Sequence, residues 1–445
     1  MSWEALFPFT ARINAAQHLE IGGCDASDIA EQFGTPLYIY DETTLREQAG
    51  RAINAFRSRW ENVTVLYATK AYFAPFIARL DRELGLGLDV TSEAEMVIAQ
   101  RAGFDSNTIY VHGNNKTPAE VCAALNNRIT HFVIDNLDEI SNLQLLTSNF
   151  QPPTPKLQLL LRLSPNIDAH THRYMTTGVA DSKFGLGIQN GMAEEAAREI
   201  LARAQAGANF ELVGLHFHIG SQVFDTDALR DALYAVLDVA AEWQHRFGFQ
   251  LRELNIGGGW GVAYNEAQTA LDIETFAENT VRALREGLRA RGLNESLRLV
   301  VEPGRGLVAR AGVALYRVGA VKNIPGVRNY IAVDGGMGDN IRPALYGARY
   351  QAFLSNRMND AASQEYAIVG RYCEQGDILI ERAQLPEARV GDLLAIPIAG
   401  AYQLPMASNY NLIPRPAVVL VQEGRARLVR RRETVQDMLA CDLDD

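Results

Sequence analysis

The stretch LGLDVTSEAEMVIAQRAGFDSNTIYVH, Leu86 to His112, contains two short strand-like runs with an amphipathic segment between them. Leu86 to Val90 and Thr108 to His112 are the predicted strands, and SEAEMVIAQRAG carries its apolar positions on one helical face. The same unit recurs to either side, with further strands predicted at Val63 to Thr69, His131 to Asp135, Leu157 to Leu163, Leu212 to His218, Leu251 to Ile256 and Arg298 to Glu302. Helical candidates between them include TPAEVCAALNN, AEEAAREILARAQA, ALRDALYAVLDVAAEWQHR and ETFAENTVRALREGLRARG.

Eight strand-helix units in about 250 residues match the rhythm of an α/β (β/α)8 barrel of the TIM type, where reactive groups gather at the carboxyl ends of the strands. Lys70 ends the first predicted strand, Asp89 lies at the end of the second, His218 ends the sixth, Gly257 follows the seventh and Glu302 ends the eighth. A doubly wound sheet would collect its ligand groups mainly at one switch point. The barrel is therefore the expected fold, over residues 43–310. Residues 1–42 and 311–445 are expected to form a mostly β domain, of sandwich or barrel type, from runs such as GVALYRVGAVKN, EYAIVGRYC, GDILIERAQL and PAVVLVQ. QPPTPK, residues 151–156, reads as a surface loop.

The 445-residue chain is 47% hydrophobic and 21% charged, with a formal net charge of −11. That charge disfavours nucleic acid and anionic membranes, and the basic run Arg430 to Arg432 is followed by Glu433. The cysteines at 24, 122, 373 and 441 form neither a disulfide framework nor a CxxC metal pattern. There is no apolar run of about 18 residues and no leader-like N-terminus, so a cytoplasmic protein is expected.

The strand-end residues suit pyridoxal phosphate. Lys70 offers the amine that joins the cofactor's aldehyde, and burial of that amine would depress its pKa. Glu302, in VVEPGRG, offers a carboxylate to the pyridine nitrogen; Gly304 and Arg305 follow it, and Arg305 is placed for anion binding. Asn255 to Gly261, NIGGGWG, offers backbone amides to a phosphate at Gly257, Gly258 and Gly259, and lacks the GxGxxG dinucleotide spacing. In LVGLHFHIGSQ, strand alternation puts His216 and His218 on one face, where an imidazole can stack on a ring and Ser221 can reach the phosphate. That histidine pair lacks a third ligand at zinc spacing, and no metal is expected. Cys373 and Glu374, in RYCEQGD, read either as a small buried hydrophobe with its neighbour or as a proton donor beside a carboxylate that grips an ammonium group.

Taken with SPNIDAHTHRYMTTGVADSKFGL, HGNNKT, VDGGMGDNIRPALYGARY and GAYQLPMASNYN, these motifs resemble the alanine-racemase-like barrel decarboxylases, fold type III, over nearly the whole chain. Within that family they are similar to the branch acting on meso-2,6-diaminopimelate. The resemblance implies that Lys70 carries pyridoxal 5'-phosphate, that His218 stacks on its ring, and that Ser221 and Gly257 to Gly259 hold its phosphate. Glu302 would pair with the pyridine nitrogen, and Asp89, Gly304, Arg305 and Tyr402 would complete the cofactor contacts. Arg305, Arg342, Tyr346, Glu374 and Tyr402 would bind substrate, and Cys373 would donate the proton. Cys373 and Glu374 would enter from a neighbouring subunit, making a homodimer the active form. Trp260 and Gln403-Leu404-Pro405 depart from the pattern, where phenylalanine follows the glycines and glycine or serine follows GAY. Two alternatives stand beside this: a related decarboxylase of another amino acid or of a carrier-bound or siderophore precursor, and a noncatalytic pyridoxal phosphate-binding protein. A racemase would need an opposed acid-base pair.

Overall fold

The computed structural model describes residues 3–150, 155–167 and 181–443. Residues 151–154 of the expected surface loop and 168–180 of the SPNIDAHTHRYMTTGVADSKFGL motif lie outside the described residues. The chain forms two compact units, one of Ala49–Val262 with Ala270–Gly304, the other of Met1–Gln48, Ala263–Thr269 and Arg305–Asp445.

The first unit is a closed parallel barrel. Its strands are β1 (Val63–Ala68), β2 (Gly87–Val90), β3 (Ile109–Val111), β4 (His131–Ile134), β5 (Leu157–Ser164), β6 (Phe210–Phe217), β7 (Glu253–Asn255) and β8 (Arg298–Val301). They pair in sequence order, β8 pairs with β1, and β4 pairs with β5, so the ring has no free edge. Leu66, Tyr110, Val133, Leu160, Val213 and Val300, from six different strands, form a buried cluster in the core. Three of the helices between the strands start on side-chain caps, at Ser92, Thr117 and Asp272. Ser92 and Thr117 each form a reciprocal box with a glutamate three residues on, Glu95 and Glu120. Glu95 has a second task, since its Oε1 accepts from Thr69 Oγ1 at 2.8 Å while the same hydroxyl also reaches Asp89 O at 2.7 Å. The cap of one helix thereby fixes the turn that carries Lys70.

The second unit is organised by the long strand Gly312–Ile324. It pairs antiparallel with Leu37–Asp41, with Leu393–Ile396 and with Arg328–Val333, and Leu37–Asp41 pairs in parallel with Ala417–Gln422. Chain from before residue 42 is thus locked between strands from beyond residue 311. The divisions fall at 48/49 and 304/305, a few residues from the 43 and 310 read in the sequence, and 263–269 passes to the second unit. Hydrogen bonds account for this: Gln48 Nε2 donates to Gly306 O, Gly400 N to Ala309 O, and Arg305 Nη1 to Tyr264 Oη. Among the described residues no helix is long and apolar enough to cross a membrane.

Candidate active site

In the barrel unit, Lys70 lies in the turn Thr69–Ala71 that closes β1. Its Nζ stands 3.2 Å from Asp89 Oδ2 in β2; the Lys70 side chain is 53% exposed and that of Asp89 2%. The amine is therefore not buried, as the sequence reading supposed. It projects beyond the packed strand ends and has a charged partner there.

Glu302, immediately after β8, is buried. Its Oε1 is 2.9 Å from His112 Nε2 and accepts from Asn255 Nδ2 at 2.6 Å, while Oε2 is 3.4 Å from His216 Nε2. Burial alone would raise this carboxyl's pKa, but His112 and His216 hold it well below the usual carboxylate range. Burial pushes the His216 imidazole down to about 4, against the opposing pull of Glu302. We assign the charge to Glu302 and a neutral ring to His216. His112, His216 and Glu302 also lie close enough together to offer three atoms to a cation. The carboxylate's approach to His112 and its hydrogen bond from Asn255 give the cluster a sufficient role as a support for Glu302.

His218 follows β6 and its Nδ1 accepts from Gly258 N at 3.3 Å. Burial and then the charge on Lys70 push its pKa well below the ordinary histidine value. The ring is therefore neutral, and acceptance at Nδ1 places its proton on Nε2.

The glycine triplet is a backbone requirement. Gly257 has φ +67° and a Cβ there would lie 2.7 Å from His218 Nδ1; a Cβ on Gly258 would lie 2.1 Å from Glu302 O. Gly259 approaches the turn before Ser221, where a Cβ would meet Gly220 O at 2.6 Å, and a Cβ on Gly304 would lie 3.0 Å from that of Ala68. Two of the three amides are already engaged, Gly257 N with Asn255 Oδ1 at 2.9 Å and Gly258 N with His218 Nδ1. Among the described residues the Gly259 amide has no partner, which concentrates the triplet's anion-binding capacity there. A closely packed glycine cradle, a buried ionised carboxylate and a projecting amine fit pyridoxal phosphate.

The second unit carries a different cluster. Arg305 Nη1 donates to Tyr264 Oη at 2.6 Å and Arg342 Nε to Tyr350 Oη at 2.9 Å. The Arg305 guanidinium lies 4.6 Å from the Tyr402 ring centre, and that of Arg342 lies 5.3 Å from Tyr346 and 5.9 Å from Tyr402. Both arginines are buried, and among the described residues Arg342 has no carboxylate partner. Burial would raise the Tyr264 phenol, but the two guanidinium groups bring it below its ordinary value.

Cys373 and Glu374 lie on another loop of this unit and are both exposed. Cys373 is thus not a small buried hydrophobe. The loop is held from beneath by Asp377, whose oxygens accept from Met337 N at 2.7 Å and Tyr372 N at 2.8 Å. At Cys373 itself, the backbone N–H donates to Asn411 Oδ1 at 2.8 Å and the carbonyl accepts from Tyr410 Oη at 3.3 Å.

Sequence reasoning missed His112, Asn255, Tyr264 and Tyr350. His112 ended a predicted strand, and Asn255 preceded the glycine triplet, so position at a barrel-strand end was an available signal for both. Tyr264 and Tyr350 had none, because their roles depend on the two arginines.

Residues 45–309 match the family described as pyridoxal-dependent decarboxylase, pyridoxal binding domain, and the chain belongs to that family. It is 44% identical to a diaminopimelate decarboxylase of Bacillus subtilis (strain 168), covering 98% of this chain and 97% of the relative. Among solved structures it is similar to diaminopimelate decarboxylase from M. jannaschii in co-complex with L-lysine, with a TM-score of 0.88, 32% identity and 98% of each chain covered. A lysine/ornithine decarboxylase from Vibrio vulnificus complexed with putrescine shares the fold, with a TM-score of 0.74, 24% identity, and 89% of this chain and 97% of that one covered.

Proposed function

We propose that this protein removes one carboxylate from meso-2,6-diaminopimelate, giving L-lysine and carbon dioxide, the last step of lysine synthesis. The observation that carries the substrate choice is the buried Arg342 among tyrosines, which has no carboxylate partner among the described residues. A buried guanidinium without a carboxylate partner is costly unless a ligand anion completes it, and diaminopimelate keeps a second carboxylate at its unreacting end. The full-length likeness to diaminopimelate decarboxylases agrees with this.

Pyridoxal phosphate, when bound, supplies an electron sink for the pair left behind as carbon dioxide departs. In this reading Lys70 provides the amine that holds it, and Asp89 keeps that amine oriented. The ionised Glu302 stabilises a proton on the pyridine nitrogen, with His112, His216 and Asn255 fixing the carboxylate. The neutral His218 offers a ring face without adding charge, and Gly259 with Ser221 and Tyr402 serves the phosphate. Arg305, Arg342 and Tyr346 hold the distal carboxylate and Glu374 the distal ammonium group. The Cys373 thiol donates the proton that replaces the lost carboxylate.

Cys373 and Glu374 are exposed in the chain, beside the exposed apolar side chains of Tyr410 and Leu412. This supports a homodimer in which each copy completes the other's site. Carbon dioxide release from meso-diaminopimelate, lysine, ornithine and arginine tests the reading: release from diaminopimelate alone is expected. Release from another amino acid reassigns the pocket, and no release with cofactor bound overturns the decarboxylase reading.

A further inference from the structure

Gln222 follows Ser221 in the loop after β6, is buried, and has no part in the chemistry above. Its side-chain amide forms two hydrogen bonds with a single residue of the loop after β7: Nε2 donates to Val262 O at 3.0 Å and Oε1 accepts from Val262 N at 2.9 Å. Main-chain bonds join the same two loops, with Val223 N donating to Gly259 O at 2.9 Å and Gly261 N to Val223 O at 3.1 Å. The loops meet without clearance, since a Cβ on Gly259 would lie 2.6 Å from Gly220 O and one on Gly261 would lie 2.9 Å from Val223 O. The backbone adds an independent observation. Gln222 has φ +65°, a strained conformation for a residue with a side chain, and such strain persists only where the surroundings hold it.

We propose that Gln222 is a positioning residue for the cofactor phosphate: its amide sets the register of the two loops, and with it the spacing between the Ser221 hydroxyl on one and the Gly259 amide on the other. The proposal rests on the reading of Ser221 and Gly259 as phosphate donors. A phosphate held by donors from two loops is bound well only where their separation is fixed before it arrives. A primary amide suits the place because it donates to the carbonyl and accepts from the N–H of one residue at once. A methionine of similar length fills the space and does neither.

The test is equilibrium titration of the cofactor-free full chain with pyridoxal phosphate and, separately, with pyridoxal, which keeps the ring and aldehyde but lacks the phosphate. Wild type, Ser221→Ala and Gln222→Met are compared, with binding read from the cofactor's characteristic absorbance. Gln222→Met is expected to weaken pyridoxal phosphate binding about ten-fold, the consequence of leaving both Val262 groups unpaired, and to change pyridoxal binding by less than about two-fold. An equal loss for both ligands overturns the proposal, because a general loosening of the barrel would give that result. Where Ser221→Ala weakens pyridoxal phosphate binding and Gln222→Met does not, the phosphate reading stands and the proposal alone fails. Where neither variant changes it, the phosphate reading fails and takes the proposal with it. Should Gln222→Met not fold, Gln222→Glu carries the test: it keeps an acceptor for Val262 N, sets a carboxylate oxygen against Val262 O, and should lower the preference for pyridoxal phosphate over pyridoxal. An unchanged preference refutes the assigned role.

Discussion

The barrel cluster and the arginine cluster solve opposite electrostatic problems. Glu302 is a buried anion whose needs are met within its own unit, by Asn255 on the adjoining strand and by two histidines at β3 and β6 elsewhere in the barrel. Arg342 is a buried cation surrounded by phenols, with no carboxylate among the described residues. A compensated charge can stabilise something of the opposite sign, such as a protonated ring nitrogen, without rearranging. An uncompensated one favours binding of an anion, because the ligand supplies what the fold withholds. In the proposed function the first arrangement serves chemistry that any amino acid would undergo, and the second discriminates among them.

That contrast can be broken most severely at Lys70. Lys70→Ala should abolish turnover and the cofactor's characteristic absorbance together, and a variant that keeps both removes the amine from its assigned role. Next in size is Cys373→Ala, expected to lower kcat by roughly 10²–10⁴-fold while changing substrate affinity far less. Mixed dimers of the Lys70 and Cys373 variants should recover part of the activity. If mixed dimers form and stay inactive, the shared site is wrong.

Arg342→Ala sharpens the comparison from the other side. It should weaken diaminopimelate binding by about 1.5–3 kcal/mol, the worth of a hydrogen bond to a charged group, and leave cofactor absorbance as it is. Unchanged kinetics would detach the arginine cluster from substrate.

The smallest effect concerns a buried charge that is only partly compensated, away from either cluster. Glu253 begins β7, stands 3.4 Å from Arg298 Nη1, and burial raises its pKa to about 7. A carboxyl raised from its ordinary value favours the folded state at pH below about 4.5, and that contribution is lost as pH rises through about 7. Glu253→Gln removes this loss, so its Tm relative to wild type should improve between pH 5 and pH 8. A constant difference across that range would show that Glu253 is already ionised in the folded protein.

The eight barrel strands and the helices between them were legible because a strand buried on both faces is written as a short apolar run, and a helix packed on one face as an apolar stripe. The strand-end rule then located Lys70, Asp89, His218 and Glu302 without any knowledge of contacts. Where reading failed, the cause was a role conferred by a distant partner. His112 looks like any residue ending a strand until Glu302 is beside it, 190 positions later in the chain by the difference of their numbers. The expected burial of Lys70 failed for a related reason: a strand end can point into the packing or beyond it, and local pattern does not distinguish the two.

Taken alone, then, the sequence determined the barrel, the β-rich remainder, and the residue types a pyridoxal phosphate decarboxylase needs, since periodicity and strand-end position are local properties. Only the tertiary structure decided how the charges are compensated. It placed His112, His216 and Asn255 around Glu302, used two of the three triplet amides internally, and set Arg305 and Arg342 among Tyr264, Tyr350 and Tyr402. Electrostatic compensation depends on distances between side chains far apart in the chain, and those distances exist only once the strands have closed and the sheet has paired.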